Sequence, residues 1–171
     1  MQIRDERPDD VLCISQIQYA AFKGHPVHAP GAEPFEHRIV ERLRACGAMT
    51  LSLLAEVDGE GVGHIALSPC VVGEDRSGWF LLGPVGVLPR LQGQGIGSAL
   101  VREALGRLRD LGASGIVLVG DPGFYARFGF GNVRGLAYRG VPDQYVLAAC
   151  LRDKAPKGEI VAHEAFDVPG V

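Results

Sequence analysis

The chain has 171 residues, 47% of them apolar and 22% charged, with a formal net charge of −3, a length that suits one domain (core about 1–151, final strand and tail 152–171). The slightly acidic balance gives no basic footprint for nucleic acid, and no apolar run approaches the ~20 residues that span a bilayer. The opening Met-Gln-Ile-Arg-Asp-Glu-Arg lacks the apolar centre of a signal peptide, so a cytoplasmic protein without a membrane partner is expected.

Ile3 to Arg7 reads as a short first strand. Asp9 or Asp10 can cap a helix whose apolar stripe is Val11, Ile14, Ile17, Ala21 and Phe22. Gly24-His25-Pro26-Val27-His28-Ala29-Pro30-Gly31 is a breaker-rich loop, and its two histidines read first as solvated. A second helix is predicted from near Pro34, a residue suited to a first helical position, with Phe35, Ile39, Leu43 and Cys46 on its buried face. Met49 to Val57 and Val62 to Leu67 form a hairpin about Asp58-Gly59-Glu60-Gly61. Gly73 to Gly78 reads as a polar connection into the central apolar strand, Trp79 to Leu88.

A Gly-rich turn, Gly93 to Gly97, then opens a helix. Its apolar stripe is Leu100, Ala104, Leu108 and Leu111, with Val101 and Leu105 alongside, and Gly112 follows as a stop. Ser114 to Val119 is short, apolar and rich in branched residues, as a buried parallel strand is. Residues 80–119 therefore predict a right-handed strand–helix–strand unit. Phe124 to Phe130 gives one short helical turn, an aromatic cluster of the kind that more often packs a core. Tyr145 to Leu151 and Gly158 to His163 read as a last, antiparallel pair of strands. Cys13, Cys46, Cys70 and Cys150 are scattered among apolar residues, which favours buried free thiols. No Cys-x-x-Cys or His-Glu-x-x-His spacing supports a metal site.

The turn at 93–97 invites chemistry, because a helix N-terminus leaves amide N–H groups unpaired and glycines let a phosphate reach them. A ligand-free connection fits the spacing too. A dinucleotide fingerprint does not, since Ser98 stands at its third glycine, and no Gly-Lys-Ser/Thr completes a Walker A loop. Gln92-x-x-Gly95-x-Gly97 fits without a gap the pyrophosphate signature of GNAT-type N-acetyltransferases, and here the chain resembles that superfamily. Tyr125-x-x-x-Gly129-Phe130 resembles its late motif, just after the fifth strand. Further stretches resemble a bacterial branch of predicted acetyltransferases: Glu36-x-x-Ile39-Val40-x-x-Leu43-Arg44, Gly63-His64-Ile65 with Ser68-Pro69, Leu82-Gly83-Pro84, Gly120-Asp121-Pro122 and Arg127-Phe128-Gly129-Phe130.

The resemblance implies an α/β (α+β) fold, a mixed twisted sheet of about six to seven strands with about four helices, its central strands splayed into a cofactor cleft. It implies acetyl-CoA as cosubstrate and no metal. The pyrophosphate would meet the turn (Gln92, Gly93, Gln94, Gly95, Ile96, Gly97, Ser98), and the pantetheine arm would pair with Val85, Gly86 and Val87. Gly86 would supply a bulge or close approach, or else make room beside Trp79 or Phe80. The implied reaction is acetyl transfer to a primary amine in a ternary complex, with a backbone N–H near Val87 facing the oxyanion and Tyr125 protonating the thiolate. The strand at 80–88 contains no Glu, Asp or His. His28, Glu33, Glu36 and Asp121 are candidate bases, each with an ordinary structural alternative, and His28 and Glu33 lie near the loop expected to line the acceptor side. A water relay or an acceptor that arrives deprotonated is equally open. A small-molecule amine is expected before a protein, and a homodimer follows by analogy. A non-catalytic acyl-CoA-binding or sensor module is the alternative, with a nucleotide-binding protein behind it.

Overall fold

In the computed structural model, which describes residues 1–170, eight strands join one mixed sheet. They are β1 (Gln2–Asp5), β2 (Leu51–Val57), β3 (Glu60–Val72), β4 (Asp75–Val87), β5 (Gly115–Val119), β6 (Leu136–Tyr138), β7 (Val146–Cys150) and β8 (Gly158–Val161). Four helices accompany them: α1 (Val11–Phe22), α2 (Glu36–Ala45), α3 (Ile96–Asp110) and α4 (Pro122–Tyr125). The main order is β1-β2-β3-β4-β5-β7, in which only β4 and β5 are parallel neighbours. β8 pairs antiparallel with β3 and parallel with β6.

Successive strand residues point to opposite faces, and that alternation places the helices. Leu53, Ala55, Ile65, Leu67, Leu82, Ile116 and Leu118 meet the stripe of α3 formed by Leu100, Val101, Ala104, Leu105 and Leu108. Leu54 and Ala66 face the other way, onto Ile14 and Ile17 of α1 and Val40 of α2. Trp79, Leu81, Val117 and Val146 pack with Leu136 and Ile160 at the β6–β8 end. Gly115 is a fitted residue there, because a Cβ would stand 2.3 Å from the Trp79 ring.

Several sequence expectations are corrected. Leu111 lies beyond the last turn of α3 and is exposed; Gly112, at φ +73°, turns the chain just after it. The polar stretch at 73–78 is mostly strand, since β3 runs on to Val72 and β4 begins at Asp75. β7 and β8 do not pair with each other, each being held by an earlier strand. α2 starts at Glu36, so Pro34 precedes it, and Cys46 is its exposed C-cap. All four thiols are free, but only Cys70 is buried, and burial pushes it up to about 12. The C-terminal tail sets Ala165 and Val168 against Ile39 and Leu43, while Arg42 donates to the carbonyls of Glu164 and Ala165. Among the described residues no helix is long and apolar enough to cross a membrane.

Candidate active site

The pairing of β4 with β5 runs from Trp79–Gly115 to Leu81–Val117 and then stops. β4 continues to Val87 while β5 ends at Val119, held only by β7. The register on the far side of β4 shows a cause. Ile65 faces Val85 and Leu67 faces Leu82, so two steps along β3 match three along β4. The extra residue falls at Gly83-Pro84, where proline also removes a ladder donor, and a bulge of this kind bends its strand. The bulge is therefore not at Gly86. That residue gives room to α1 instead, for a Cβ there would stand 2.8 Å from Gln18 Oε1 and 2.9 Å from Ala21 Cβ.

A cleft of about 530 Å³ opens along the splay. Val85, Gly86 and Val87 form its floor, and Ala21, Phe22 and His25 at the end of α1 form one wall. The opposite side is Leu91, Gln92, Gly93, Gly95, Ile96, Gly97 and Ser98, with Phe124 and Arg127 beyond. Nine of the ten residues expected around a cofactor thus meet in one cavity. The exception is Gln94, whose amide turns back to the Arg90 carbonyl at 3.4 Å.

The turn is built by backbone sign rather than by crowding. Gly93 and Gly95 sit at φ +75° and +87°, conformations that favour glycine, and nothing described lies within 4 Å of a Cβ at either. Gln92 braces the turn by donating from Nε2 to the Val87 carbonyl at 3.0 Å. Among the described residues no side chain caps α3, so the amides of its first turn remain open to an anion. Arg127, which sequence reasoning missed, brings a cation to the same cavity and lies over the Phe124 ring at 5.2 Å. Its spacing of three from Phe124 on a helical turn was the available signal.

Tyr125 stands behind this surface. Its ring packs on Gly120, where a Cβ would come within 2.5 Å of Cε2, and edge-on against Phe124 and Phe130. It is 8% exposed, and burial pushes the phenol up to about 12. Asp121 caps α4 by accepting from the Gly123 N–H at 2.9 Å. Glu33 is exposed and accepts from the Tyr19 hydroxyl at 2.5 Å, with Lys23 at 3.5 Å. His28 is not a solvated loop residue: its Nε2 lies 2.7 Å from Glu36 Oε1, and its ring meets Phe22 and Phe35 edge-on. Glu36 Oε2 also accepts from the Phe35 N–H at 3.0 Å. Neither His28 nor Glu33 borders the cleft, whereas His25 does.

A buried polar chain, also missed, runs beneath α1. His64 on β3 is fully buried, with Nδ1 2.8 Å from Gln18 Nε2 and Nε2 2.8 Å from Ser52 Oγ. Ser52 in turn donates to Glu6, which Arg44 holds at 2.6 Å. Burial, then the charge of Arg44, pushes the imidazole down to about 3, so it is neutral. Among the described residues no three His, Cys, Asp or Glu side chains are grouped to hold a metal ion.

Comparison with known proteins agrees with this geometry. Residues 15–130 match the model of the acetyltransferase (GNAT) family. The uncharacterized N-acetyltransferase YhbS of Escherichia coli K12 is 38% identical over 116 residues, covering 61% of this chain and 69% of that protein. The crystal structure of a GNAT family acetyltransferase from Brucella melitensis in complex with acetyl-CoA is 44% identical, covers 97% of each chain and superposes with a TM-score of 0.83. That of YhbS from Escherichia coli in complex with CoA is 30% identical, covers 99% of this chain and 93% of that one, and gives 0.87.

Proposed function

The chain belongs to the GNAT acetyltransferase family, and we propose that it moves an acetyl group from acetyl-CoA to a primary amine by direct attack within a ternary complex. The observation that carries the proposal is the union, in one cavity, of an interrupted β4–β5 ladder with the uncapped start of α3. The residues present fit the cosubstrate. Open amides from Gly93 to Ser98 and the Arg127 guanidinium suit a diphosphate, and among the described residues no carboxylate borders the cavity to repel one. Val85 to Val87 offer a strand edge to an amide-bearing arm. Tyr125, one residue behind the lining, is the donor for the departing thiolate, and burial keeps it protonated at neutral pH. We read residues 1–171 as one catalytic domain.

Calorimetry with acetyl-CoA, NAD and ATP tests the binding step, and binding of acetyl-CoA alone is expected. An amine panel followed by thiol release tests the transfer. Tight binding with no turnover of any amine would leave the acyl-CoA sensor reading in its place.

A further inference from the structure

We infer that the acceptor is a weakly basic amine, of the α-amino kind, that enters the cleft uncharged rather than as an ammonium ion. The inference rests on the transferase reading and concerns how the amine loses its proton. Among the described residues that border the cleft, only His25 and Arg127 are titratable or charged. Neither is placed to take a proton. His25 Nδ1 accepts the Val27 N–H at 3.2 Å, so the neutral ring carries its proton on Nε2 and can only donate there. Arg127 is a permanent cation. Both offer the cavity N–H donors, and neither offers it a proton acceptor.

The carboxylates that the sequence offers as bases all hold hydrogen bonds elsewhere, and none borders the cleft. Glu36 serves His28 and the Phe35 N–H, Glu33 serves Tyr19 and Lys23, and Asp121 serves the Gly123 N–H. His64, under the floor, has both ring nitrogens engaged and Gln18 beside it. His28, behind Phe22, and His37, on α2 with its ring 5.6 Å from that of Tyr19, each keep a ring nitrogen without a partner, and both stand outside the cavity.

The size of the effect decides which amines qualify. At pH 7.5 an α-amine of pKa ~7.8 is about one third neutral, whereas a lysine-type amine of pKa ~10.4 is about 0.1% neutral. A site that admits only the neutral form therefore sees roughly 250 times more reactive α-amine at equal total concentration. The chemistry then balances without a base. The nitrogen lone pair forms the C–N bond, the C–S bond breaks, and the proton shed by nitrogen replaces the one Tyr125 lends to sulfur. The products are an amide and a thiol.

The test compares alaninamide, an α-amine, with Nα-acetyl-lysinamide, an ε-amine, across pH 6 to 9.5 by thiol release. It also measures, by calorimetry, binding of each amine to the protein saturated with CoA. We expect kcat/KM for the ε-amine to climb about tenfold per pH unit to the top of the range, and its affinity to climb in parallel. Alaninamide should level off near pH 8 and exceed the ε-amine at least tenfold at pH 7.5. A plateau for the ε-amine from near pH 7, or affinity that does not rise with pH, would place a base on the protein, His28 foremost, and overturn the inference while leaving the transferase intact. Thiol release from neither amine, nor from any member of the wider panel, would instead remove the transferase reading and the inference with it.

Discussion

Tyr125 and Arg127 lie two residues apart and sit in different surroundings. Tyr125 is held by packing: Gly120 makes space for its ring, and Phe124, Phe128 and Phe130 surround it. A Tyr125→Phe change keeps all of that and removes only the hydroxyl. Steady-state kinetics should show kcat lower by about a hundredfold, the low end for a positioned acid, with the dissociation constant for CoA unchanged. Unchanged turnover would release Tyr125 from the acid role. Arg127 faces the open cavity beside the glycine turn and makes a contact to the Gly123 carbonyl at 3.5 Å. Arg127→Gln should weaken CoA binding about tenfold at low salt, and the loss should shrink as salt screens the lost attraction. Dephospho-CoA separates two sources of the effect. If the variant penalty vanishes with it, Arg127 reads the 3′-phosphate; if the penalty persists, Arg127 reads the diphosphate.

The glycines of α3 and its turn show that one residue type can answer to different demands. Gly95 is needed for its positive φ, whereas Gly106 sits mid-helix with nothing described within 4 Å of a Cβ. Gly106→Ala should raise stability by about 1 kcal/mol and Tm by roughly 2–4 °C with kinetics unaltered. Gly95→Ala should cost about 1–2 kcal/mol in urea melts and weaken CoA binding as the turn shifts. The glycine turn that frames the cleft is legible in the sequence, because glycine spacing and helical periodicity are local signals, whereas the run at Tyr125 reads locally as core and gains a role only through the family resemblance. The stripe of α3 is legible for the same reason: Leu100, Ala104, Leu105 and Leu108 are all buried, and the pattern fails only at Leu111, past the helix end. What stays hidden depends on contacts between distant segments. Asp75, Arg76 and Ser77 are polar and read as a loop, yet they extend β4 because Val72 of β3 pairs with Asp75. His28 reads as solvated because its partner, Glu36, lies across a breaker-rich loop. The bulge falls at Gly83-Pro84 instead of Gly86 on similar grounds, since register is a property of two strands and not of one.

Across the whole molecule, the buried chain from Gln18 through His64 and Ser52 to Glu6 and Arg44 links α1, the sheet and α2, and it sets the response to acid. The imidazole of His64 is held near 3 in the fold and returns to about 6.5 when the chain unfolds. Between those values the unfolded chain binds a proton that the folded chain refuses, so stability falls as pH falls, by up to about 1.4 kcal/mol per unit. Asp10 acts in the same direction over a lower window. Its hydrogen bonds from Arg4 hold it down to about 2 against 3.8, so its contribution is present above about pH 4 and is lost towards pH 2. Urea midpoints should therefore be level from pH 8 to 7 and drop below 6.5, with about 2–3 kcal/mol gone by pH 4.5, a large share of an ordinary 5–15 kcal/mol. Asp10→Asn should lower stability at pH 7 yet keep the slope between 6.5 and 4.5, because its own window lies beneath that range. A midpoint that stays flat down to pH 4.5 would mean that His64 accepts a proton inside the fold. The two pH effects are then separable by readout and range: the urea midpoint falls below pH 6.5 while the chain stays mostly folded, whereas the rise in activity above pH 7 follows the acceptor amine.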